Sequence, residues 1–146
     1  MGAPPEPPAR FEPLPREALL APPCPLVVVA GERSSRSAFA AALAQSLASH
    51  GMRAARFVEP LEGVTREELT TALATRSVDT PLLIVEGGAV LGLYRATLAV
   101  LVGVRGSSSP ALRALRERVD LDVESPGSAL AGLLAARLAL WVVGRG

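Results

Sequence analysis

The chain has 146 residues, a formal net charge of +1, an apolar fraction of 49% and an aromatic fraction of only 3%. That length suffices for one domain with its own core, and the scarcity of rings means a core of Leu, Val and Ala. The near-neutral balance argues against a nucleic-acid footprint, and the lone Cys24 and lone His50 exclude an intrachain disulfide and a Cys/His metal cluster.

Residues 1–25 hold nine of the 13 prolines, which predicts an extended, solvated leader with at most one helical turn at Arg16 to Leu20. Residues 26–146 are expected to form a single domain. The continuous apolar run Leu26–Ala30 is of strand length, as in a parallel strand buried on both faces. A polar loop, Gly31–Arg36, is expected to follow it. Phe39, Leu43 and Leu47 then recur at helical spacing over Ser37–His50, with Gly51 as the stop and His50 complementing the helix dipole. Met52–Val58 is expected as a second strand, ending in a loop, Glu59–Gly63. Thr65-Arg66-Glu67-Glu68 has the form of a capping box and predicts a helix to about Arg76. Leu82–Val85 and Thr97–Val104 are further expected strands, the former followed by a turn at Glu86–Gly88. Pro110–Arg118 is expected as a short helix whose Arg113, Arg116 and Arg118, interleaved with Glu117, form a solvated face. A short strand at Leu121–Val123 and an amphipathic helix over Ser128–Trp141 close the pattern.

Strands and helices that alternate over short connections imply an α/β fold: a three-layer sandwich with a mostly parallel sheet of about five strands. Ligands of such sheets bind beyond the C-terminal strand ends, where Gly31–Arg36, Glu59–Gly63 and Glu86–Gly88 are expected to converge. The start of the chain shows no charged-then-apolar signal pattern. The most apolar stretch, Leu130 to Val143, is interrupted by Arg137 and is too short to span a bilayer. A cytoplasmic protein without membrane or nucleic-acid partners is therefore expected.

The first strand, loop and helix have the layout in which backbone amides and a lysine cradle phosphates. Against G-x-x-x-x-G-K-[ST] the chain offers Ala30-x4-Ser35-Arg36-Ser37. The candidate phosphate-binding residues are Gly31, Arg33, Ser34, Ser35, Arg36 and Ser37, with Ser37 and Glu86 as candidate magnesium ligands. All 15 basic residues are arginine, so the cation at this position is Arg36, which is bulkier than lysine and planar. Glu86 could alternatively pair with Arg36 or Arg33.

The stretch from Gly31 to Gly63, with Phe57-Val58-Glu59-Pro60-Leu61-Glu62-Gly63, and the later Val85-Glu86-Gly87-Gly88 resemble dethiobiotin synthetase and its cobyrinate-amidase relatives. The adaptor of molybdopterin-guanine dinucleotide synthesis has a similar strand. The resemblance covers residues 26–105 and implies a P-loop fold using ATP or GTP with magnesium. In those enzymes lysines stand at two positions that are Arg36 and Glu59 here. The second replacement reverses the charge, and loss of two cations removes several kcal/mol of transition-state stabilisation. Gly63, Gly87 and Gly88 complete the candidate site loops. Ala30-x5-Arg36-Ser37 also has the spacing of the Cys-x5-Arg-Ser loop of low-molecular-weight tyrosine phosphatases, but Ala30 supplies no thiol and Cys24 lies at the opposite end of the strand.

The expectation is a degenerate P-loop domain that acts by binding a nucleotide, an anion or a protein, with weak or no catalysis. An unidentified protein partner would use the leader 1–25 or the closing helix. The alternative is an active ATP- or GTP-dependent cofactor-biosynthesis enzyme in which Arg36 replaces lysine.

Overall fold

A computed structural model describes residues 9–145 with the exception of 108. Its sheet consists of β1 (Leu26–Gly31), β2 (Ala54–Val58), β3 (Leu82–Glu86), β4 (Leu98–Val102) and β5 (Leu121–Val123). All pairings are parallel, in the order β2-β3-β1-β4-β5. The helices are α1 (Arg33–Ser49), α2 (Arg66–Arg76), α3 (Pro110–Arg116) and α4 (Ser128–Arg145). Short 3-10 turns occupy Arg16–Ala18 and Ala89–Gly92, the second at a place where the sequence pattern suggested only a tight turn.

The three layers follow from the strand period. Val27, Val29, Ile84, Val100 and Val102 face α1 and α4, where they meet Phe39, Leu43, Leu47 and Leu138. Leu26, Val28, Leu83, Val85 and Ala99 point the other way, onto Leu69 and Leu73 of α2, the 89–92 turn, and Phe11 and Leu14 of the leader. Every side chain of β1 and β3 is buried, as a central parallel strand requires. The capping box is present: Thr65 Oγ1 accepts from the Glu68 amide at 3.1 Å, and Glu68 Oε1 accepts from the Thr65 amide at 2.8 Å. His50 is the C-cap of α1.

Two expectations are corrected. Over residues 10–25 the leader is a strap bonded to the segments before α2 and around the 89–92 turn, not a solvated tail; residues 1–8 lie outside the described residues. Arg10 N donates to Val64 O at 3.1 Å, Leu14 N to Gly92 O at 2.7 Å and Leu20 N to Leu93 O at 2.9 Å. Phe11 and Leu14 explain the docking, because they cover apolar surface that α2 and the 89–92 turn leave open. The arginines near α3 are likewise not all solvated. Arg116 bonds Asp122 Oδ2 at 2.9 Å and the carbonyl of Ser107 at 2.7 Å. Arg118 donates to the carbonyls of Leu91, at 3.0 Å, and Leu14, at 2.9 Å. These carbonyls end no regular ladder, and a forked guanidinium can satisfy two at once.

β2 forms one edge of the sheet. The Arg76 guanidinium lies 4.9 Å from the centre of the Phe57 ring, and its Nε donates to the Arg56 carbonyl at 3.2 Å. On the outer side of α4, Leu133, Leu140 and Val143 are exposed. Among the described residues no helix is long and apolar enough to cross a membrane.

Candidate functional site

β1 and β3 are neighbours, yet the chain leaves them in opposite directions. β1 feeds α1 on one face, and β3 feeds the 89–92 turn on the other. Such a switch point opens a crevice at the C-terminal strand ends. The Gly31, Glu59 and Glu86 segments meet there: Glu59 N donates to Glu86 O at 2.9 Å, and Gly87 N to Val29 O at 2.9 Å.

The first loop is shorter than the sequence suggested, because α1 begins at Arg33 and not at Ser37. Ser34, Ser35, Arg36 and Ser37 are therefore helical. The reason is Glu32, the N-cap, whose carboxylate accepts from the Ser34 amide at 3.1 Å and the Ser35 amide at 2.8 Å. Ser34 Oγ also donates to both carboxylate oxygens, at 2.9 and 2.8 Å. Bonds from the Ser35 and Ser34 amides and hydroxyls hold the Glu32 carboxyl down at about 2. The helix mouth expected to receive a phosphate thus holds a carboxylate from the residue that opens the helix. A phosphate on the same amides would have to displace it.

Arg36 is 3% exposed. Its Nη1 donates to the Gly31 carbonyl at 3.4 Å, so the guanidinium folds back under the strand–helix junction. Arg33 and Ser34 are exposed at the start of α1. Ser37 and Glu86, the expected magnesium pair, are in contact, with Ser37 Oγ donating to Glu86 Oε1 at 3.1 Å. The partner of Glu86 is neither Arg36 nor Arg33 but Arg56 of β2, whose Nε donates to Glu86 Oε2 at 3.0 Å and whose Nη2 bonds the same oxygen. Arg56 stands opposite Ile84 in the β2–β3 register, so its side chain emerges on the same face as Glu86. Glu86 is 1% exposed, and the guanidinium supplies the countercharge that such a buried carboxylate needs.

Glu59 is also buried, and its charge has a structural use. Its two oxygens accept from the amides of Ala89, at 3.2 Å, and Val90, at 3.0 Å, so it caps the 89–92 turn. Gly87 makes this possible. It has a φ of +142°, and a Cβ there would lie 2.2 Å from Glu59 Oε2. Gly31 is required for another reason: its φ is +117°, and a Cβ would lie 2.0 Å from the Val102 carbonyl oxygen of β4. Gly88 caps the 89–92 turn, and Gly63, with a φ of +90°, closes the turn that begins at Pro60. Among the described residues no three His, Cys, Asp or Glu side chains gather as a metal site.

The sequence singled out Ser37 and Glu86, which the fold brings together. It missed the roles of Glu32 and Arg56. A Glu two residues before a Ser pair was the available signal for the first. Comparison with known proteins finds no matching protein-family model and no matching curated protein.

Proposed function

We propose that the chain is a P-loop-type domain that has given up phosphoryl chemistry and acts by binding, as an accessory or assembly subunit. The observation that most supports this is the Glu32 carboxylate on the Ser34 and Ser35 amides. An incoming phosphate competes with an internal anion tethered at high effective concentration. Two cations of the site are already engaged, Arg36 with the Gly31 carbonyl and Arg56 with Glu86. This arrangement fits a magnesium nucleotide poorly, since the carboxylate that would take the metal already carries a countercharge. Over residues 10–25 the leader is engaged with its own domain, and the proposal assigns a protein partner to the outward side of α4, where Leu133, Leu140 and Val143 are exposed.

The test is thermal shift with ATP, GTP, ADP and GDP, with and without magnesium, on the full chain and on Glu32→Gln. A nucleotide at 100 times its dissociation constant would add about 2.7 kcal/mol, a shift of several degrees. The proposal expects no shift for the full chain.

A second reading has one observation in its favour. The Ser37–Glu86 contact at 3.1 Å joins the hydroxyl and carboxylate that would share magnesium in an ATP- or GTP-dependent cofactor-biosynthesis enzyme. A magnesium-dependent shift in the full chain, abolished by Ser37→Ala, would overturn the first reading and favour the second.

A further inference from the structure

A second concentration of charge lies at the opposite end of the sheet, where β4 and β5 begin. The strap and the segment before β4 are zipped together there: Leu20 N donates to Leu93 O and Arg95 N to Leu20 O, each at 2.9 Å, and Leu20 bridges to Tyr94. This sets the 16–18 turn of the strap across a cleft from Arg118, two residues past the end of α3. The cleft has a volume of about 240 Å³ and is lined by Arg16, Arg95, Arg118, Asp120, Tyr94 and Ala99 among others. That is several times the ~30 Å³ share of one water molecule.

Its charge is lopsided. Three arginines and one aspartate line it, a net charge of +2 against +1 for the whole chain. Asp120 is partly spent, because its Oδ2 accepts from the Ala99 amide at 2.8 Å. Arg118 uses two N–H groups on the carbonyls of Leu14 and Leu91, and a guanidinium has five. Arg118 is therefore held in place with donors to spare. Arg16 and Arg95 are exposed and make no side-chain hydrogen bond or ion pair to the other described residues. The three arginines come from three separate segments, so their convergence is a product of the tertiary fold and not a run of basic sequence.

We propose that this cleft is a binding site for a small phosphorylated molecule, the phosphate held by Arg16, Arg95 and Arg118. Arginine forks match phosphate oxygens in pairs, and several around one cleft favour a dianion or diphosphate over a monoanion. The site is independent of the α1 mouth, so it stands or falls separately from the proposal of a silent P-loop.

The test is titration of the full chain with inorganic phosphate and pyrophosphate at low salt, by calorimetry and by amide chemical shifts. It includes the Arg16→Gln/Arg95→Gln double variant, whose changes are at exposed side chains, and Glu32→Gln. The expected result is salt-sensitive pyrophosphate binding, weakened at least about tenfold in the double variant and unchanged in Glu32→Gln, with shifts at Tyr94 to Ala99. No binding up to about 10 mM, or equal binding by the double variant, would overturn the site. Shifts confined to Glu32–Ser37 would overturn it too and would return the anion to the α1 mouth.

Discussion

Removing the Glu32 side chain at several pH values tests whether it acts as an ionised cap. Glu32→Ala deletes the bonds to the Ser34 and Ser35 amides, and loss of an N-cap costs about 1 kcal/mol, with a range of roughly 0.5–2. For a domain of this size that lowers the Tm by about 3–5 °C. The effect depends on pH. The Glu32 carboxyl sits at about 2 in the folded chain against an ordinary value of 4.5. A depressed carboxylate contributes its full stability above the unfolded value and loses it as pH falls toward the folded one. The gap between the parent chain and Glu32→Ala is therefore expected to be widest at pH 6–7 and to shrink steadily from about 4.5 toward 2. Urea unfolding followed by circular dichroism at several pH values measures it. A gap of the same size at pH 3 and pH 7, or no gap at pH 7, would refute the assignment of Glu32 as an ionised cap.

Gly31→Ala is expected to destabilise by at least about 2 kcal/mol, because the methyl group meets the β4 backbone, which a side-chain rotation cannot move aside; equilibrium unfolding reads this directly. Arg56→Ala strands Glu86 without its countercharge, and breaking a buried pair costs about 3–5 kcal/mol. The lower end applies, since the Arg56 side chain is 37% exposed. Adding Glu86→Gln to Arg56→Ala is expected to recover much of the loss, and a double-mutant cycle with no recovery would mean that Arg56 acts through packing instead.

The strands were legible because β1 and the Leu82–Val85 part of β3 are continuous apolar runs that glycine soon punctuates. The capping box at Thr65 was legible because Ser/Thr-x-x-Glu is a local signal that needs no partner. Glu32 was obscured for the converse reason. Caps are dominated by Ser, Thr, Asp and Asn, so the serines at 34, 35 and 37 drew the helix start too far along the chain. Arg56 could not be read at all. Within Ala54-Ala55-Arg56-Phe57-Val58 it has the pattern of an outward-facing residue on an edge strand, and its pairing with Glu86 depends on a register that tertiary packing sets. The strap was missed because proline content was read as a lack of structure, whereas Phe11 and Leu14 were the informative letters.

Arg76 has a consequence for how this molecule coexists with its own copies. An all-parallel sheet that stops at β2 exposes a row of backbone donors and acceptors to any extended chain of matching register, a route to fibre growth. Where other folds place a proline or a lysine on such a rim, here one guanidinium clamps the Arg56 carbonyl and shields the Phe57 ring. A side chain from α2, not one on the strand itself, guards the rim, so loosening of α2 under stress would unmask the template and the ring together.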